Sequence, residues 1–341
     1  MFSKSMPPNC DGAVERLLDF SREYATQNGI RDCKIDFKYV TGFLRALVFD
    51  VTIIGASGEM NYFAKVGADL SDEVRAYVEN EANLTMSVHK RFPDSVRFGT
   101  VKLMSYCPDR AVFITQSIHG KRLDHELIAA LRWPTQRRIQ RAYQLLENCA
   151  GWLTAFQNSW PQDGHLDTTS LLAGFKRRLV RLSIVRPKLV SPDLAEWIID
   201  VATQIAGTLD KNVYRIVMRH DDFAPWNMIA HGDQVFVYDF ADAQPGSMYY
   251  DKYYFDHALS TLGNKPFVNK RLLDRFRHRF YDSFDGPANH PIAEQRLFSI
   301  YFSSARLGSL VFMRQRKFPL NLIIKIRMKQ ELKRLVSLCK D

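Results

Sequence analysis

Residues 219–243 read RHDDFAPWNMIAHGDQVFVYDFADA. Five aspartates, two histidines and an asparagine stand there among residues suited to burial. The apolar runs WNMIA and QVFVYDF flank His231-Gly232-Asp233, a pattern of strand, turn and strand. A three-residue loop centred near Asp233 pairs Asn227 with Asp239, and a two-residue loop shifts the pairing by one. In both registers Asn227 and Asp239 lie on neighbouring strands at one end of the hairpin, where cross-strand neighbours stand ~5 Å apart. An amide oxygen and a carboxylate so placed suit a hard cation such as Mg²⁺. Asp222 lies in the loop before the hairpin, where a carboxylate can orient a substrate hydroxyl and accept its proton. Turn and cap aspartates around a core histidine are the alternative reading of the same spacing.

The chain has 341 residues, enough for two lobes. Its composition, 46% hydrophobic and 25% charged, is that of a globular protein rather than a disordered one. No apolar run approaches the ~20 residues that span a bilayer. The first twenty residues lack the apolar stretch of a signal peptide, so a cytoplasmic protein is expected. Five scattered cysteines without a CxxC pair argue for reduced thiols rather than a disulfide framework or a zinc site. Residues 265–341 hold 17 Lys and Arg against 6 Asp and Glu, a balance of +11, which leaves 30 against 31 for the rest. A local excess of that size favours an anionic partner or a solvated helical face. The last helix expected, LNLIIKIRMKQELKRLVSLCKD, is basic and amphipathic. It suits either a cover for the core or peripheral contact with an anionic membrane at its inner face. No nucleic-acid module is recognisable, and none is expected to bind.

The order of elements is legible from periodicity. A helix is expected from Asp11 to about Gln27, closed by Gly29. CKIDFKYV, LVFDVTII and NYFAKVG read as strands, with GASGE as the turn between the second and third. A helix capped at Ser71 or Asp72 follows, then strands VRFGTVKLMSY and AVFITQSI split by CPDR. From Pro134 onward the spacing is mainly helical, over 134–160, 168–208, 249–263, 267–284, 290–314 and 320–338.

His220-Asp221-Asp222, four residues, Asn227, a hairpin, then Asp239 resembles the catalytic and metal-binding motifs of the protein-kinase-like superfamily. It is most similar to the aminoglycoside phosphotransferase and choline kinase branch. PGSMYYDKYYF, with Asp251, is similar to the Gly/Pro-then-Asp segment that follows in that branch. The resemblance implies an α+β, bilobal fold. An N-terminal lobe of antiparallel sheet and one helix is expected over 1–115, with a leading helix over 1–29. A hinge over 116–123 and a mainly helical C-terminal lobe over 124–341, carrying a small catalytic hairpin, complete it.

That resemblance implies roles. Asp222 is the catalytic base, Asn227 and Asp239 are the Mg²⁺ ligands, and His220 and Asp251 support the catalytic loop. Lys65, in the strand YFAKVG, is expected to bind the nucleotide's phosphates, with Glu81 of the next helix as its partner in preference to Glu79. Backbone groups at Gln116, Ser117 and Ile118 are expected at the adenine edge. The cofactors implied are ATP, or GTP, and Mg²⁺. The activity implied is phosphoryl transfer to a hydroxyl of a small molecule: a sugar, a glycan precursor or an aminoglycoside-like compound. The departures are specific. Gly42 stands alone where a glycine-rich loop is usual, Asp221 replaces a usual Gly or Arg, and Trp226 precedes Asn227 where Gly is common. Only a short stretch separates Asp239 from Asp251, which speaks against a protein Ser/Thr kinase. A pseudokinase-like scaffold that docks an acidic partner through the basic C-terminal region is the non-enzymatic alternative.

Overall fold

The computed structural model describes residues 10–43, 45–56, 58–92, 95–162, 167–209, 216–284, 292–313 and 320–340. Helix α1, Asp11–Gln27, buries Ala13, Leu17, Phe20, Ser21, Tyr24 and Ala25 along one face and leaves the other polar. Gly29 follows it with φ +75°, the left-handed conformation glycine adopts without a Cβ penalty. Strands β1, Lys34–Phe43, β2, Ala46–Gly55, and β3, Gly58–Gly67, form an antiparallel meander, with β2 and β3 joined in register from Ala46↔Gly67 to Gly55↔Gly58. Helix α2, Asp72–Arg91, follows from Ser71.

The stretch VRFGTVKLMSY, expected as one strand, is two: β4, Phe98–Thr100, and β5, Leu103–Cys107. They belong to different sheets, so the chain must turn between them. A 3-10 turn over Pro108–Arg110 leads into β6, Val112–Gln116, and β7, Lys121–Arg122, comes next. The first sheet has the order β1-β2-β3-β6-β5. Its two faces are distinguished by the period of two. Phe49, Val51, Ala64, Val66, Val112 and Ile114 pack against α1, whereas Phe113 packs with Val78 and Ala82 of α2.

Helix α3, Leu123–Arg132, lies wholly before Pro134, where the helical spacing was expected to begin. Helix α4, Gln136–Ser159, is capped by the Thr135 side chain, so Pro134 lies just outside it. Strand β8, Pro161–Gln162, helices α5, Thr168–Val185, and α6, Pro192–Gly207, and strand β9, Ile216–Arg219, follow. After a 3-10 turn at Pro225–Asn227 come β10, Met228–His231, and β11, Gln234–Val237. Strand β12, Gln244–Ser247, and helices α7, Tyr250–Leu262, α8, Lys270–Ser283, α9, Ile292–Met313, and α10, Leu320–Lys340, complete the chain. Among the described residues no helix is long and apolar enough to cross a membrane.

The chain packs as two units, 1–123 with 226–243, and 124–225 with 244–341. The sequence division at 116–123 placed the hairpin with the helical lobe; its contacts group it with the first unit. There β10 and β11 form the centre of a second sheet, β4-β11-β10-β7. In the second unit a small sheet, β12-β9-β8, accompanies a core drawn chiefly from α5, α6, α9 and α10.

Candidate active site

Lys65, Glu81, Gln116, Ser117, Ile118, Asn227 and Asp239 lie in the first unit; His220, Asp222 and Asp251 lie in the second. On β3 the neighbours of Lys65, Ala64 and Val66, enter the core beneath α1. Alternation therefore turns Lys65 toward α2. Its Nζ donates to Glu81 Oε2 at 2.5 Å and to Asp239 Oδ1 at 2.9 Å. The side chain of Lys65 is 13% exposed and that of Glu81 5%, while Glu79 is exposed on another face of α2. Burial alone would lower the Lys65 pKa, but Glu81, Asp239 and the Tyr77 hydroxyl overcome it, and the ammonium is held above its usual range. Burial pushes the Glu81 carboxyl up, with Lys65 opposing. The Lys65 ammonium also lies 5.4 Å from the centre of the Tyr77 ring.

The hairpin takes the shorter of the two loops. His231 pairs with Gln234 and Met228 with Val237. Gly232 carries φ +57° at the first loop position, which glycine adopts at no steric cost. Continuing that register sets Asn227 beside Tyr238, whose N–H donates to the Asn227 carbonyl at 3.2 Å. Asp239 is one residue further on, with φ +72°. Asn227 is buried. Tyr238 also donates its hydroxyl to the Trp226 carbonyl at 2.6 Å, which fixes the backbone on which Trp226 sits.

The donor chemistry fits a magnesium ion. Asn227 and Asp239 offer hard oxygens at one end of the hairpin, and Mg²⁺ is usually held by one or two carboxylates plus a substrate's phosphates. Among the described residues no group of three His, Cys, Asp or Glu side chains is placed to hold a metal unaided.

Gln116 ends β6, and its N–H is taken by the Lys102 carbonyl at 2.9 Å. Ser117 and Ile118 follow as half-buried irregular chain. Gly120 is then required for close approach: a Cβ there would strike the Ala230 carbonyl and the Ile229 side chain.

In the second unit the loop after β9 hangs on Asp251, a fully buried residue at the start of α7. Its carboxylate accepts from the backbone N–H of His220 at 2.7 Å and of Asp221 at 3.0 Å. Burial pushes the Asp251 pKa up to about 7, and the N–H bonds pull against that rise. His220 is fully buried, with its ring edge-on to Trp152 at 6.2 Å and to Phe223 at 6.1 Å. Trp152 and Phe223 stack at 5.5 Å. The loop is thus fastened from one side by a carboxylate and from the other by rings.

Asp222 accepts a hydrogen bond from the Tyr254 hydroxyl at 2.6 Å. Asp251 and Tyr254 are three residues apart on α7, so one helix face delivers both contacts. Tyr254 was not singled out in the sequence. The signal was its spacing from Asp251, masked by the aromatic run YYDKYYF. Asp221 has φ +72°, which accounts for glycine being usual at this place. Gln244 donates to its Oδ2 at 2.6 Å, and Arg219 lies within ion-pair distance at 3.3 Å.

Residues 103–260 match the phosphotransferase enzyme family. No curated protein sequence matches the chain. Among solved structures, the ADP-bound aminoglycoside phosphotransferase APH(2'')-Ib is 18% identical with a TM-score of 0.56, over 94% of this chain and 98% of that one. The ternary complex of streptomycin, ATP and APH(2'')-IIa is 18% identical with a TM-score of 0.55, over 85% and 89%. The choline kinase of Cryptosporidium parvum Iowa II is 12% identical with a TM-score of 0.60, over 96% of each chain. At these identities the likeness is one of fold, and the fold is the protein-kinase-like one of the aminoglycoside phosphotransferases and choline kinases, with residues 103–260 carrying the phosphotransferase family's sequence pattern.

Proposed function

We propose that this chain is a small-molecule kinase that moves the γ-phosphoryl of ATP, or GTP, to a hydroxyl of its acceptor. The observation that carries this reading is Lys65, bound at once to Glu81 of α2 and to Asp239 after the hairpin. A buried ammonium between two carboxylates is costly as mere packing and apt as a phosphate-binding group. Asp222, oriented by Tyr254, takes the proton of the acceptor hydroxyl as its oxygen attacks phosphorus. The bond between the γ-phosphorus and the bridging oxygen breaks, and that oxygen leaves with the nucleoside diphosphate. Asn227 and Asp239 would hold Mg²⁺, which neutralises phosphate charge when bound. Lys65 positions the phosphates by charge, and the backbone at Ser117 and Ile118, following Gln116, meets the adenine edge. His220 and Asp251 keep the Asp222 loop in shape.

Asp222→Asn tests this reading in the full chain. ADP release with a hydroxylated acceptor should fall by about 10²–10⁴-fold, the usual worth of a positioned base. Calorimetric Mg·ATP affinity should stay within a few-fold of wild type. Turnover near wild type would sink the assignment. Mg·ATP binding by the wild-type chain without turnover on any acceptor would favour the scaffold reading instead.

Peripheral contact with an anionic membrane is a second, compatible reading. It rests on Leu322, Ile323 and Ile326 of α10, which are 54%, 45% and 51% exposed beside Lys325 and Lys329.

A further inference from the structure

Helices α7, α9 and α10 bring faces of mixed aromatic and charged residues together in the second unit. On α7 the face carries Tyr250, Tyr254 and His257; on α9 it carries Phe298, Phe302 and Arg306; on α10 it carries Arg327, Glu331 and Arg334. Ring contacts lay the first two helices together: Tyr250 on Phe298 at 5.2 Å, Tyr254 on Phe302 at 5.1 Å and His257 on Phe302 at 5.9 Å. Arg334 ties α10 to α7 by donating to the Ser260 hydroxyl at 2.6 Å. Arg306, one turn beyond Phe302, acts electrostatically on Tyr254, Arg327 and Glu331. Lys265, just after α7, feels Arg306, Arg327, Arg132 and Asp124.

The charges there do not balance. Lys265, Arg306, Arg327, Arg334 and Arg277 face three carboxylates, Glu331, Asp124 and Asp256. Nearby arginines show what satisfaction looks like. Arg277 is bidentate on Asp256 at 2.6 and 2.8 Å, and Arg178 donates to Ser304 and Tyr301. Arg306 and Lys265 have no ion pair within 4 Å among the described residues. Burial first, and Arg327 with it, lowers the pKa of both, and Glu331 at Arg306 and Asp124 at Lys265 oppose the fall without cancelling it. His257, 6% exposed, has neither ring nitrogen hydrogen-bonded, and the buried Arg327 Nε is likewise without a partner among the described residues. A purely solvated basic face would not bury such groups.

This cluster is one side chain from Asp222. Tyr254 donates its hydroxyl to that carboxylate and feels the charge of Arg306. We propose that the acceptor carries an anionic group of its own, a carboxylate or a phosphate, which Arg306, Arg327 and their neighbours bind while its hydroxyl meets Asp222. The inference rests on the reading of Asp222 as the base facing the acceptor. It gives the acceptor a sign opposite to choline and streptomycin, the cations named with the structural neighbours.

Two measurements on the full chain test it. The first compares kcat/KM for glucuronate and glucose 6-phosphate with kcat/KM for glucose, by ADP release. Wild type should prefer one anionic sugar by about tenfold or more, the worth of one charge-assisted hydrogen bond. In Arg306→Gln and Arg327→Gln that ratio should collapse toward unity, and Arg306→Lys should restore part of it. Because the ratio is taken within each variant, a general loss of fold cancels. Which sugar is preferred tells carboxylate from phosphate. A ratio unchanged in both Gln variants, or a preference for glucosamine over both anions, would overturn the proposal. The second is a thermal shift with each anionic sugar and no nucleotide. A rise in Tm in wild type that is lost in Arg306→Gln supports the anion site even should no acceptor turn over, in which case the kinase reading alone fails. No rise in wild type, or an equal rise in both chains, overturns the anion site.

Discussion

Asp221 and Asp239 each hold φ +72°, a region that most L-residues avoid. Asp tolerates it better than alanine does, and at Asp221 the carboxylate is also held by Gln244. The position therefore separates backbone from side-chain effects. Asp221→Ala meets the left-handed cost, about 1–2 kcal/mol, and loses the Gln244 contact as well. Asp221→Gly loses only the side-chain contacts, to Gln244 and to Arg219, as Asp221→Ala does too. Urea unfolding should place Asp221→Ala below Asp221→Gly in stability, and the reverse order would show that the strain is relieved elsewhere. The same conformation explains why the sequence departure at Asp221 leaves the loop intact.

At the scale of elements, α7 does two jobs with one face. Asp251 fastens the loop backbone and Tyr254 sets Asp222. Helix α10 is divided differently. Ile324, Met328, Leu335 and Cys339 enter the core, while Leu322, Ile323 and Ile326 are exposed. Exposed Val180, Ile184 and Val185 of α5 add to the apolar area, and Val185 shares a groove with Leu322 and Ile326. Basic Arg186, Lys188, Lys325 and Lys329 line the same groove. An apolar strip with a basic rim matches an anionic bilayer surface. The full chain should co-sediment with phosphatidylserine vesicles and not with phosphatidylcholine ones, and Leu322→Glu with Ile326→Glu should abolish it. Equal sedimentation of that variant would leave α10 as a cover for the core alone.

Stability belongs to the whole molecule, and His257 gives it a pH dependence. Burial, then the charges of Arg334, Arg306 and Arg277, push its pKa down to about 3. In the unfolded chain the imidazole takes a proton near 6.5. Between these values the unfolded state binds more protons, so stability falls as pH drops from about 6.5 toward 3, by at most ~1.4 kcal/mol per unit. Asp251 and Glu294, both pushed up to about 7 chiefly by burial, carry the opposite sign. The difference between wild type and His257→Gln isolates the histidine. The wild-type chain should lose more stability on acidification than the variant, and parallel curves would exclude it.

What the sequence revealed follows the range of the interactions. The hairpin was legible from its local period and turn residues, and the pairing of Lys65 with Glu81 from the resemblance together with the strand and helix patterns that carry them. The loop length remained open between two values, and Gly232 with Asp233 resolved it to the shorter. The split of VRFGTVKLMSY was hidden because β4 finds its partner in β11, some 135 residues away. Tyr254 and the arginines of α9 and α10 were hidden for a similar reason: three separate helices bring them together. The basic excess of residues 265–341 was visible as a total, but not as a place.

The bond from Lys65 to Asp239 also bears on the order of events. The carboxylate proposed to ligate a metal has an ammonium against it. A bare divalent ion arriving first must push aside a charge of its own sign. An ion that comes already wrapped in a nucleotide's phosphates offers that ammonium a new anion as it displaces it. On the proposed reading, the pair would act as a latch that admits the metal as part of the nucleotide complex and resists it alone.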